Sequence, residues 1–322
     1  MIFTEAASFI DGGWTPFSER TRPQQLQTEA FHERIGTFEF SNTGVREDNR
    51  FICAELEFQT YGKPLPRFYQ FSGSCVGVGG AKAYLSAAFL DHVIRGDNEE
   101  VKPCYPFATY GVGRQIAGMR GKGSGSYGAA QAKAVAPETF GMLAWDDPRV
   151  PQPQNPAAYW LKYSERTEID WSHSNYWPVK RSELFETATA FGVHTVTRVK
   201  SVEGAKQAIA QGYPLTIAGS KGFSMSVRGD VLMGRNNKSW NHQQQVDAYW
   251  YHPQMGLIFG VNNQWEDVHG KCPTLGKFGV NGSYWITSND MQHFVANETY
   301  AHSNTGGFPT RKFVFTSVGT FF

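Results

Sequence analysis

The chain has 322 residues, of which 18% are charged and 15% aromatic, with a net charge of +1. That length can bury a large core, and the composition excludes a disordered or low-complexity chain. The near-neutral balance gives no electrostatic footing for nucleic acid or a membrane surface, and no apolar run approaches the ~18 residues of a membrane helix.

The opening, MIFTEAASFIDGGW, carries Glu5 and Asp11 and lacks a basic start, which predicts no signal peptide. The cysteines are Cys53, Cys75, Cys104 and Cys272, too few in a chain this long for a disulfide framework. Reduced thiols in a cytoplasmic setting are expected. Residues 1–60 read as an irregular arm with turn signals at Gly12-Gly13 and Pro23 and a few strands. In GKPLPRFYQ (62–70) two prolines force an extended path. After FSGSCVGVGG (71–80), Ala83, Leu85, Phe89 and Val93 recur at roughly helical spacing and Gly96 offers a stop. Cys75 therefore lies at or beside a helix N-terminus.

Residues 105–130 are rich in glycine, and AAQAKAVAPETFG predicts a short helix closed at Pro137. Residues 144–180, rich in Trp, Pro and Asn, read as a loop or a crossing between lobes. SVEGAKQAIAQGY (201–213) is a further short helix. Strand patterns then dominate: PLTIAGS, QVDAYWYH, GLIFGVNN, GSYWITS and KFVFTSVGTFF. Helices followed by strands argue an α+β fold.

Cys75 is either a small buried hydrophobe or a nucleophile. A helix N-terminus and a nearby His would lower its pKa, and its own N–H and the Gln70 amide could hold an oxyanion. His242 lies in KSWNHQQQVDAYW; the strand beyond it turns at HPQMG (252–256) and returns as LIFGVNNQW. Such a hairpin brings Asn263 level with His242, give or take a residue. An Asn there fixes the tautomer of the ring, although Asn262 and Asp247 compete for that position. Trp265 is either core or a cover that keeps water off the His–Asn contact. HGKC (269–272) lacks a partner pair with metal-ligand spacing, and AGMRGKGSG and GVGGAK fail the phosphate-loop and dinucleotide patterns, so no metal or cofactor is expected. GSCVG also reads as a nucleophile elbow, but the strand-rich second half argues against the alternating βα units that an elbow needs.

Gln70, Cys75, His242 and Asn263 follow the chain order of papain-like cysteine proteases. SGSCVG resembles that family's G-S-C-W segment, with Val76 in place of the aromatic. NHQQQVDAYW resembles its His strand, and NNQWEDVHG its N-S-W-G segment. GSGSYG (123–128) sits where the family has a glycine-rich edge that binds substrate backbone. Gln70 precedes Cys75 by five positions where the family pattern has six, and Ser72 replaces a disulfide cysteine of the secreted members. The pattern resembles the divergent bacterial and phage members more than the lysosomal or plant enzymes.

The resemblance implies two lobes with the active cleft between them: a helical lobe at 61–165 carrying Cys75, and a β-barrel-like lobe at 166–322 carrying His242 and Asn263, preceded by the 1–60 arm. It implies Cys75, His242, Asn263 and Gln70 as catalytic residues and Gly125, Ser126, Tyr127 and Trp265 as substrate-binding residues. The implied activity is hydrolysis of peptide or isopeptide bonds in a peptide or protein substrate. The alternative is a catalytically silent structural or binding protein, such as a virion component, with an assembly partner on the C-terminal strand or the N-terminal arm. Both readings place the protein in the cytoplasm or a virion.

Overall fold

A capping box opens the first helix, α1 (Arg22–Ile35): the Thr21 side chain faces the third helical residue, and the Gln24 side chain accepts from the Thr21 N–H. Pro23, which reads in the sequence as a turn signal, instead sits in the first helical turn, where its missing N–H costs nothing. Part of the expected irregular arm is therefore helical. The structure, a computed structural model, describes residues 13–40, 50–96, 101–156, 159–173, 181–265 and 282–309.

The chain continues through β1 (Arg50–Ile52), α2 (Cys53–Tyr61) and β2 (Arg67–Phe68) to the long helix α3 (Cys75–Arg95), which stops at Gly96 with φ 67°. β3 (Cys104–Tyr105), α4 (Pro106–Ile116), α5 (Gly128–Ala134), β4 (Leu143–Ala144) and β5 (Trp160–Leu161) follow. α6 (Glu165–Ser172) lies inside the segment expected to be a loop. Ser164 caps it by accepting from the Thr167 N–H, and Glu165 and Glu168 fill its first turn, which is a helix-start signature. α7 (Arg181–Thr189), β6 (Thr195–Arg198) and α8 (Val202–Ala210) lead into the long hairpin of β7 (Leu215–Arg228) and β8 (Val231–His252). β9 (Gly256–Asn262), β10 (Ser283–Thr287), α9 (Ser288–Ala296) and β11 (Glu298–Ser303) complete the described chain.

Seven strands form one sheet in the order β10-β9-β8-β7-β11-β6, with β1 added antiparallel to β8. β10 pairs antiparallel with β9 and also meets β8 at Trp285 and Met233, so the sheet curls back on itself. The fold is α+β, with helices concentrated before the main sheet. KFVFTSVGTFF and HGKC lie outside the described residues. Among those described, no helix is long and apolar enough to cross a membrane.

α3 lies between two apolar cores. Leu85, Phe89 and Leu90 enter the core built on β7–β10, α8 and α9. Val76, Val78, Ala81 and Tyr84 enter the other, with Phe107, Tyr110 and Tyr127. Burying a side chain such as Leu85 or Phe89 contributes roughly 1.5–3 kcal/mol, so two-sided burial holds the helix firmly. Gly77 permits the close crossing with α4, since a β-carbon there would overlap the side chain of Tyr110. A mid-helix glycine costs about 0.5–1 kcal/mol relative to Ala, and here the α3–α4 contact offsets it.

Candidate active site

Cys75 is the first residue of α3 and is fully buried. Burial pushes its thiol up to about 12, against an opposing pull from the backbone amides of Gln243, Val76 and Cys75 itself. The sulfur thus sits where the start of α3 meets β8, one residue past His242. Gln70 is buried five residues earlier; its side-chain amide donates to the Ser72 carbonyl at 2.6 Å.

His242 comes from the inner part of β8. A bulge between Val246 and Ala248 shifts the β8–β9 register so that Gln245 faces Asn262. Asn263 lies one step further, on the face of β8 that carries His242. Its Oδ1 lies 2.9 Å from His242 Nε2 and also accepts the Gln264 N–H at 2.8 Å. The second bond fixes the amide with its oxygen toward the ring, so Nε2 carries the proton. Asn262 is engaged elsewhere: its amide donates to Asp247 at 2.7 Å, and its oxygen accepts from Ser283. Of the three possible partners, the structure puts Asn263 on His242. Trp265 stacks on the imidazole, with ring centroids 4.2 Å apart and 20° between the planes, and Trp240 meets Trp265 edge-on.

The expected substrate edge is bonded to the chain's own arm. The Ser126 N–H donates to the Gly13 carbonyl at 3.2 Å, and the Thr15 N–H donates to the Ser126 carbonyl at 2.7 Å. From the other side, the Trp14 N–H donates to the Asn241 carbonyl, next to His242. Residues 13–15 therefore lie extended between the two walls of the cleft, parallel to Ser126. Gly13 lies directly on the thiol: a β-carbon there would overlap Sγ and lie 3.3 Å from Cys75 Cβ. The arm is clasped at Glu298, the first residue of β11. That carboxylate accepts from Trp14 Nε1 at 2.7 Å, from both Arg20 terminal nitrogens, from the Gly128 N–H and from the Tyr300 hydroxyl. The Tyr127 ring underlies Arg20 at 4.3 Å, and its hydroxyl donates to Gln27. Gly125 precedes Ser126 with φ 104°.

No protein-family model matches the sequence, and no curated protein matches it. Among solved structures, the chain is similar to xylellain, a cysteine protease from Xylella fastidiosa, with a TM-score of 0.58 and 12% identity over 94% of this chain and 99% of that one. It is similar also to proCathepsin B S9 from Trypanosoma congolense, with a TM-score of 0.51 and 11% identity over 95% and 90% of the two chains. The fold is papain-like.

Within this papain-like fold two polar residues near the site escape sequence reasoning. Glu168 on α6 holds the loop leading to Cys75: its carboxylate accepts the Phe71 and Ser72 N–H groups and the Ser72 and Ser74 hydroxyls. Its sequence signal is an acid three residues before Trp171, on the same buried helix face. Lys82 on α3 is buried and donates to the Asn262 and Asn263 carbonyls. Its signal is a lone charge in the apolar run that follows Cys75. Cys53, Glu57 and Asp247 bring possible ligand atoms within 4.8 Å of one another. Arg67 occupies the cationic position there, with one nitrogen on both Glu57 oxygens at 2.8 and 3.0 Å.

Proposed function

We propose that the protein is a papain-like cysteine peptidase, acting on peptide or isopeptide bonds through Cys75, His242 and Asn263, and that its own arm closes the cleft in this conformation. The Nε2–Oδ1 contact under Trp265 carries the reading. It directs the other imidazole nitrogen, Nδ1, to the role of exchanging a proton with the thiol. In this reaction the Cys75 thiolate attacks the carbonyl carbon and His242 donates its proton to the leaving amine. The Cys75 N–H, one of the unpaired donors of a helix start, faces the oxyanion, and Gln70 joins it by turning its amide from Ser72. Water attacks the thioester, returning the thiol and releasing the acid. Gly125, Ser126 and Tyr127 would hold substrate backbone where they now hold the arm.

In this reading the bound arm acts as an inhibitor. Its Gly13 carbonyl is engaged by the Ser126 N–H. The fully buried thiol also suits a second reading, a catalytically silent relative with a structural or binding role, such as a virion component.

Thiol labelling separates the two. The full chain is treated with iodoacetamide at pH 6 and labelled sites are read by mass spectrometry, for wild type, Gly13→Val, and Gly13→Val with His242→Ala. A side chain at residue 13 overpacks the contact with Sγ by about 1–3 kcal/mol, so Gly13→Val is expected to label Cys75 at least about fivefold faster than wild type. The gain should disappear with His242→Ala. Labelling that rises in Gly13→Val but ignores His242 would favour the silent reading.

A further inference from the structure

Lys82 lies two helical turns after Cys75 and is the first charged residue of α3. Its side chain crosses from the helix to the end of β9, and Nζ donates to two successive carbonyls, Asn262 at 3.1 Å and Asn263 at 2.9 Å. It is 1% exposed and passes the Trp160 ring at 5.8 Å. Donors also cross the other way. Gln264 Nε2 donates to the carbonyls of Cys75 and Gln243, Gln243 Nε2 to that of Val76, and Gln245 Nε2 to that of Lys82 itself. Gly79 makes room for this seam: a β-carbon there would come within 3.3 Å of the Gln264 amide.

Bonds running in both directions fix the position of α3 along its axis. A slip of one residue moves a helix by about 1.5 Å, enough to break such contacts. Lys82 acts from α3 on the peptide of Asn263. That peptide supports the Oδ1 that meets His242.

We propose that Lys82 is a positioning residue for the Cys75–His242–Asn263 group: it holds the Asn263 backbone in register with the nucleophile's helix, and through it the His242 ring. A lysine suits the task because even its neutral amine, the form that burial favours, keeps two N–H donors at the end of a long stem, so it can serve two carbonyls pointing in different directions. Methionine would fill the stem's space and leave both carbonyls buried without that donor.

The value of Lys82 to catalysis rests on the peptidase reading, but its geometric role can be tested without any activity. Imidazole ¹⁵N NMR of the full chain reports the His242 Nε2–H and its exchange with water. Wild type, Lys82→Met, Lys82→Gln and Asn263→Ala are compared, with a melting curve for each. Asn263→Ala sets the exchange rate without the partner. Lys82→Met is expected to speed exchange at least about tenfold, the equivalent of one lost buried hydrogen bond, with Lys82→Gln between it and wild type because its amide keeps N–H donors on a shorter stem. A merely structural lysine would lower the melting temperature and leave this proton's exchange unchanged. A folded Lys82 variant with wild-type exchange at His242 overturns the proposal, and so does failure of both variants to fold, which would assign Lys82 to the fold as a whole. If exchange responds to Lys82 while Cys75 labelling ignores His242, the positioning role stands and the peptidase reading falls.

Discussion

On the β8–β9 side of the cleft, His242 is held from within. Asn263 bonds its ring, Trp265 covers one face, Gln264 fixes the Asn263 amide and Lys82 fixes the Asn263 peptide. On the opposite side, residues 125–127 meet the arm: Gly13 and Thr15 bond Ser126, Gly13 covers the thiol, and Glu298 clasps Trp14 and Arg20. The first side is permanent interior. The second is made with residues 13–15, which are held by backbone bonds to Ser126 and Asn241 and by the Glu298 carboxylate. The contrast separates two requirements of a cysteine nucleophile, a fixed proton partner and an open approach.

Glu298→Ala should have the largest effect. It leaves Arg20, whose side chain is fully buried, without its counter-ion, and it removes the acceptor for Trp14 and the Gly128 N–H. Breaking such a pair costs about 3–5 kcal/mol, which urea denaturation would register. If the two sides are held independently, Cys75 labelling should rise while the His242 Nε2–H signal keeps its wild-type position. Loss of both together would show that the clasp supports the whole cleft.

Trp14→Phe is a milder probe of the same side. It keeps an aromatic ring, smaller than the indole, and deletes the donor to Glu298, a hydrogen bond to a charged group worth roughly 1.5–3 kcal/mol. Arg20 still holds the carboxylate, so the arm should stay docked but open more often. Limited proteolysis near residue 14 should quicken without a matching fall in melting temperature. A melting temperature that falls in step would mean that the ring belongs to the core and not to a removable arm.

Much of the inner side is legible in the sequence because its logic is local. Helical spacing from Ala83 to Val93 with a stop at Gly96 places Cys75 at a helix start, and strand–turn–strand spacing brings His242 and Asn263 together. The bulge at Asp247, invisible to strand alternation, sets the register that separates Asn263 from Asn262. The outer side is not legible. Gly13, Ser126 and Glu298 are far apart in the chain, and nothing in GGW or in NET announces a partner. Lys82 and Glu168 have the same difficulty in milder form. Each is a single charge among buried neighbours, which signals a burial cost to be met but not where the partner lies. α1 and α6 depart from the expected loops for a simpler reason: their end signals, Thr21-Arg22-Pro23-Gln24 and Ser164 followed by acids, outweigh a polar, proline-marked composition.

The smallest expected effect, Glu168→Gln, tests whether the loop before Cys75 belongs with the fixed side. Its carboxylate accepts four bonds from residues 71–74. An amide replaces one acceptor oxygen with a donor and would cost about 1–3 kcal/mol. The cost should vary with pH in a defined direction. Burial pushes Glu168 up from 4.5 to about 7, against the pull of the Ser72 and Phe71 N–H groups. Between those values the folded chain binds the proton and the unfolded chain does not, so this group's contribution is full below about 4.5 and is lost as pH rises through 7. Wild type should therefore lose stability relative to Glu168→Gln as pH rises from 5 to 8, and the gap between their denaturation midpoints should narrow. A gap that widens over the same interval would mean that the four donors outweigh burial and keep the carboxylate ionised. The loop before Cys75 would then be held by a full negative charge at the start of α3, on the permanent side of the cleft.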